Sequence, residues 1–114
     1  MTTSVANTLA IPNISAYAAS KAALRSMTRT LGRELLPRRI RVNAVSPGAI
    51  DTGVLDRSMP KEAAAQAKAQ MTANNPMLRF GGPVEVAKAA VFLAFDATYT
   101  TGAELAVDGG GSQL

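Results

Sequence analysis

The stretch "SAYAASKAAL", Ser15 to Leu24, sets a tyrosine and a lysine four residues apart among small residues. The chain has only two tyrosines, so placing one there needs a reason. Alanine, leucine and lysine are strong helix formers. On a helix, residues i and i+4 lie on one face, one turn apart. The pattern predicts a helix from Ser15 or Ala16 to about Leu36, ended by Pro37. Ala19, Ala23, Met27, Leu31 and Leu35 recur at helical spacing and predict its apolar stripe.

Tyr17 and Lys21 then share a face. An ammonium near a phenol stabilises the phenolate. A phenol poised in that way passes a proton to or from a substrate oxygen. The spacing equally suits a tyrosine packed at a helix start with its lysine in solvent. A Tyr-x-x-x-Lys match arises by chance in roughly one chain in five of this length, so the pair alone does not decide.

Outward from this helix the chain alternates. Residues 1–14 are irregular, with Pro12 and Asn13 as turn residues. "IRVNAV", Ile40 to Val45, is rich in β-branched residues and predicts a strand. "SPGAIDTG", Ser46 to Gly53, reads as a loop. "KEAAAQAKAQMTA", Lys61 to Ala73, predicts a second helix. "RFGGP" breaks the chain. Pro83 suits the first position of a third helix, with Glu85 in its first turn, running to about Phe95. After a turn at Thr101-Gly102, "AELAV" predicts a last strand and "DGGGS" closes it. Helices alternating with strands predict an α/β layer with parallel strands. Two parallel strands alone make a poor sheet, because such strands normally lie inside a larger one.

Composition narrows the chemistry. With 114 residues, 47% of them hydrophobic, the chain suits one small domain with an aliphatic core. There is no cysteine and no histidine. That excludes disulfides, Cys/His metal sites and Ser-His or Cys-His nucleophile pairs. No metal site is expected, and proton chemistry falls to Tyr, Lys, Asp, Glu or Ser. The net charge is +4, and its densest group is Arg38, Arg39 and Arg41. We read that group as a solvated helix end and strand start, not a nucleic-acid surface. No apolar run is long enough to span a membrane, and the N-terminus does not read as a secretion signal. The expectation is a cytoplasmic chain without nucleic-acid or membrane partners.

Other pieces join the Tyr-Lys pair. Ser4 precedes Tyr17 by thirteen residues; "NAVSPGAIDT", Asn43 to Thr52, follows the helix; "TGAELAVDGG" lies near the end. In this order and spacing they resemble the short-chain dehydrogenase/reductase family, in its NAD(P)-dependent branch, from Thr2 to the C-terminus. The resemblance implies an α/β fold that is the C-terminal part of a Rossmann-like doubly wound parallel sheet, its last two strands with three helices. It implies hydride transfer between a nicotinamide, NAD or NADP, and a small-molecule carbonyl/alcohol pair. Tyr17 would be the general acid/base. Lys21 would favour its phenolate and hold the nicotinamide ribose. Ser4 would bond the substrate oxygen. Pro47 and Gly48 would lie against the nicotinamide ring, the backbone of Ile50 would bind its carboxamide, and Thr52 would reach the phosphates. A homo-oligomer, dimer or tetramer, would form through the Tyr17–Lys21 helix and through the last helix and strand.

Plainer readings stand beside these. Ser4 also suits a surface hydroxyl, Pro47-Gly48 a turn, and Asp51 and Thr52 a helix cap or Asx turn. Met71 and Met77 suit either a substrate pocket or helix packing. Asp108 with Gly109 and Gly110 is assigned to the fold. Leu78 and Phe95 stand where relatives often have glycine and serine, and both are read as neutral.

No Gly-rich phosphate turn precedes Tyr17. The resemblance therefore implies a chain that starts at the end of the family's fifth strand, without the dinucleotide-binding half. Ser4 would then hang on a loose end. The strand Ile40 to Val45 would lose its inner neighbour, and the apolar helix stripes would be uncovered. The isolated chain would be a poor enzyme or none. The alternative is an interaction module that folds on a partner through the Tyr17–Lys21 helix.

Overall fold

Pairing, not β-branched content, decides where the strands lie. The computed structural model describes all residues, Met1–Leu114. Strand β1 (Ala44–Pro47) pairs in parallel with β2 (Glu104–Val107), in the register Ala44↔Glu104 to Pro47↔Val107. Ile40 to Asn43, predicted as strand, lies outside this ladder. Part of its hydrogen bonding goes to the turn before β2. Gly102 N donates to Val42 O at 2.7 Å, and the Asn43 side chain pairs with Thr100 O and Ala103 N.

The inner edge of β1 is not bare. Thr2 bridges Val45 in parallel, with Val45 N donating to Met1 O and Thr3 N to Val45 O, each at 2.9 Å. The Met1 ammonium adds a bond to Asn43 O at 2.7 Å. The expected lost neighbour is thus supplied by residues 1–3, and Ser4 leaves an anchored segment instead of a loose end.

Helix α1 (Ser15–Glu34) forms as its composition dictates. Its packed face differs from the predicted stripe. Thr28 and Gly32 are buried, while Ala19, Ala23 and Met27 are exposed. The reason is close approach. A Cβ on Gly32 would lie 3.2 Å from Gly102 N, and the Thr28 hydroxyl returns to Leu24 O at 2.8 Å. Small residues let the helix settle on the residue 101–102 turn and on the N-terminal segment.

A short helix α2 (Val54–Ser58), absent from the sequence reading, precedes α3 (Lys61–Ala73). Lys68 joins them through Asp56 at 2.6 Å and also reaches Asp51 at 3.7 Å. Hydrogen bonding to Asp56 and the charge of Asp51 raise the Lys68 pKa. Helix α4 (Pro83–Val91) starts at Pro83 as predicted and passes into a π-helical turn, Phe92–Asp96.

That turn is held by Arg41. Its guanidinium donates to the carbonyls of Leu93, Ala97, Thr100 and Ala94, at 2.7, 3.0, 3.4 and 2.6 Å. Of the arginine group, Arg38 and Arg39 are solvated as expected, but Arg41 is an internal clamp. Next to it Val45, Leu93 and Ala97 form the core, packed by Val86, Ala89 and Leu105. No helix is long and apolar enough to cross a membrane.

Candidate functional site

Three parallel segments end at one edge. The bridge segment ends at Thr3-Ser4, β1 at Pro47-Gly48, and β2 at Val107-Asp108. Ligands of open parallel sheets bind outside such carboxyl ends.

Tyr17 and Lys21 flank this edge from α1. Lys21 Nζ lies 5.6 Å from the centre of the Tyr17 ring and donates to Thr2 O at 3.2 Å. The helix thereby touches the segment that delivers Ser4. Tyr17 is 49% exposed. Its main-chain carbonyl accepts from Ser20 Oγ, while the phenol is left to solvent.

Ser4 is extended (φ −167°, ψ 152°) and caps the 3-10 turn Val5–Asn7, its Oγ accepting from Ala6 N at 3.2 Å. As an acceptor it is engaged, yet its O–H remains a donor.

The loop after β1 is shaped by a second bridge, Ile50↔Gly81. Gly81 N donates to Ala49 O and Asp51 N to Gly81 O, each at 2.9 Å. In that pattern the Ile50 N–H points away from Gly81. Ile50 O accepts from Thr52 N at 3.0 Å, making a tight turn and leaving the Thr52 side chain exposed. Asp51 does not cap a helix but faces Lys68, and Gly53, at φ 70°, precedes α2.

A cavity of about 160 Å³ opens between the Gly48–Leu55 loop, Met71 and Phe80. Met77 lines a separate one of about 310 Å³ beside Asn75 and Asp108. Pro47 belongs to β1 rather than to a free turn. Gly48 has a packing role, because its backbone lies against Asp108.

The sequence reading missed Glu104, which meets Thr3 from 101 residues away. It lies inside the stretch "TGAELAVDGG" but was given no role there, and only the pairing of β2 beside β1 reveals its contact.

Sheet and flanking helix together define part of a doubly wound α/β fold. Residues 1–112 match the family model described as enoyl-(acyl carrier protein) reductase. The chain belongs to the short-chain dehydrogenase/reductase family, as its motifs suggested. It is 39% identical over 109 residues to 2-(S)-hydroxypropyl-CoM dehydrogenase 3 of Xanthobacter autotrophicus, covering 94% of this chain and 43% of that protein. It is 44% identical over 100 residues to the 3-oxoacyl-[acyl-carrier-protein] reductase FabG of Thermotoga maritima, covering 87% and 39%. The chain thus spans under half the length of these relatives.

Solved structures agree on the fold. Aldohexose dehydrogenase of Thermoplasma acidophilum, in ligand-free form, superposes with a TM-score of 0.88 at 34% identity, over 97% of this chain and 46% of that one. A 3-oxoacyl-[acyl-carrier protein] reductase of Brucella melitensis with bound NAD gives 0.81 at 36% identity, over 99% and 40%. A small-chain dehydrogenase in complex with NADPH gives 0.88 at 31% identity, over 97% and 49%.

Proposed function

We propose that this chain provides the catalytic part of an NAD(P)-dependent oxidoreductase acting on a small-molecule carbonyl/alcohol pair. The observation that carries the reading is the Lys21 ammonium 5.6 Å from the centre of the half-exposed Tyr17 ring. A bound nicotinamide supplies the hydride to the substrate carbon in reduction, or takes it in oxidation. Tyr17 gives its phenolic proton to the carbonyl oxygen in reduction and takes it back from the alcohol in oxidation. Lys21 offsets the charge of the phenolate form and has further N–H donors for ribose hydroxyls. Ser4 donates its O–H to the same substrate oxygen.

The chain's own residues fit the nicotinamide end of a dinucleotide. The Ile50 N–H, turned away from Gly81, suits a carboxamide, Thr52 a phosphate, and Pro47-Gly48 a flat ring. The NAD and NADPH complexes of similar proteins support the same ligand class. No Gly-rich turn for the pyrophosphate occurs among these 114 residues. A second reading, an interaction module docking through α1, is favoured by the exposed Ala19, Ala23 and Met27. The same face suits assembly into a dimer or tetramer.

Saturation-transfer NMR of the purified chain with NADH and NADPH tests the proposal. Because Ser4 and β1 are anchored, weak binding is expected at the nicotinamide end. Saturation should reach the nicotinamide and its ribose, persist in Tyr17→Phe and vanish in Lys21→Ala. Saturation confined to the adenine, or none at millimolar dinucleotide, would sink it.

A further inference from the structure

Ser4 sits between two residues that bond to one oxygen atom. Thr3 Oγ1 donates to Glu104 Oε1 at 2.5 Å, and Asn7 Nδ2 donates to the same atom at 2.7 Å. The other oxygen, Oε2, lies 3.0 Å from Nε of Arg25, one turn beyond Lys21 on α1. The contacts close into a ring. Arg25 Nη1 donates to Thr8 Oγ1 at 3.3 Å, and Thr8 Oγ1 donates to Asn7 Oδ1 at 2.6 Å. The ring encloses the 3-10 turn that Ser4 caps.

The carboxylate reaches this place because of its register. Glu104 opens β2 opposite Ala44, which is fully buried and has only a methyl side chain. The glutamate passes over β1 to the segment beyond. Its side chain is 14% exposed, so its ion pair is shielded more than a surface pair.

Resting on the oxidoreductase reading, we infer that Glu104 is a positioning residue that fixes Ser4 against the helix carrying Tyr17 and Lys21. One carboxylate takes both flanks of Ser4 on one oxygen and the catalytic helix on the other. Outside the ring, Lys21 to Thr2 O uses the ammonium that the reaction needs, and Thr28 Oγ1 meets only the weak acceptor Met1 Sδ, at 3.2 Å. The Glu104 ring holds the same two segments without occupying a group proposed to touch substrate or cofactor.

The test compares Glu104→Ala, Glu104→Gln and wild type by residue-resolved hydrogen exchange. Loss of the carboxylate should speed exchange at least tenfold at Ala6 and Asn7, whose N–H groups bond Ser4 Oγ and Ser4 O. The Ala44 and Gly48 amides, which bond Ala103 O and Val107 O across the β1–β2 pair, should keep their rates. Glutamine retains an acceptor for Thr3 and Asn7, so Glu104→Gln should restore most of that protection while losing the Arg25 pair. If Glu104→Ala does not fold, Glu104→Gln with Asn7→Ala decides: Ala6 should lose protection and the sheet should not. In a turnover assay, kcat should fall about tenfold with KM for the dinucleotide unchanged. Equal acceleration across the sheet, or no change at Ala6 and Asn7, overturns the inference. Failure of wild type to bind dinucleotide counts against the oxidoreductase reading alone, because the exchange pattern is read without ligand.

Discussion

Gly48 lies against the backbone of Asp108 so closely that a Cβ on the glycine would sit 2.6 Å from Asp108 Cβ and 2.8 Å from its Cα. Asp108 cannot retreat. Its carboxylate accepts from Gly110 N at 2.9 Å, Ser112 N at 2.9 Å and Ser112 Oγ at 2.6 Å. Burial pushes the Asp108 carboxyl up, but the bonds from Ser112 and Gly110 outweigh it and hold the pKa below its usual range. Gly48 therefore closes the end of the β1–β2 pair, whatever ligand lies above it.

Gly48→Ala should consequently destabilise the fold, by about 1–3 kcal/mol for overpacking against a fixed backbone. Urea unfolding should show a lower midpoint with an unchanged slope. A variant as stable as wild type would mean that the contact yields freely and that the glycine owes its identity to a ligand.

Arg41 spends its charge on carbonyls at the end of the π-helical turn, next to buried Leu93 and Ala97. Two guanidinium nitrogens share four acceptors, a geometry that an ammonium cannot copy. Arg41→Ala should cost roughly 2 kcal/mol, the scale of hydrogen bonds to a charged group. Arg41→Lys should recover only part of it. Exchange of the Ala97 amide, bonded to Phe92 O, should rise more than that of Val45. If lysine restores full stability, the forked geometry is not what matters.

Glu85 makes stability depend on acid. The Arg79 guanidinium, at 2.8 Å, and the Gly82 N–H, at 2.7 Å, hold its carboxyl at about 2, against an ordinary 4.5. A depressed carboxylate stabilises the fold fully above its unfolded pKa. That contribution is lost as pH falls through the folded one. The stability difference between wild type and Glu85→Gln should be constant above about pH 5 and shrink from pH 4.5 towards 2. Circular-dichroism melts across that range check it. A difference that stays flat to pH 2 would show that Glu85 gains nothing from its charge at the start of α4.

What could be read in advance divides along physical lines. Lys61–Ala73 and the start at Pro83 were legible because local helix propensity and proline geometry decide them. Strand β1 was displaced towards Ile40 because β-branched residues mark a tendency, whereas Met1–Thr3 and Glu104–Val107 determine which residues pair. The face of α1 was misjudged because alanine covers both sides, while the contact with Gly102 requires Gly32. The Tyr17–Lys21 turn follows from spacing alone. Glu104 and Arg41 act across long sequence separations, where periodicity carries no information.

Leu78 shows the same limit in one residue. Read as neutral, it has φ 52° in the left-handed region and is 68% exposed. Its N–H donates to Asn75 O at 2.8 Å, and Asn75 is buried and bonded to Asp108 O, so the turn cannot relax to another conformation. A side chain held there costs roughly 1–2 kcal/mol. Glycine removes that strain but adds about 0.5–1 kcal/mol of unfolded-chain entropy. Leu78→Gly should thus stabilise the fold by a net of roughly 0.5–1 kcal/mol, with the gain visible as a higher urea midpoint. It should also remove an exposed apolar side chain and reduce self-association at high concentration, measurable by light scattering. A loss of stability would instead mean that the leucine packs on Met77 or a second copy strongly enough to outweigh its backbone strain.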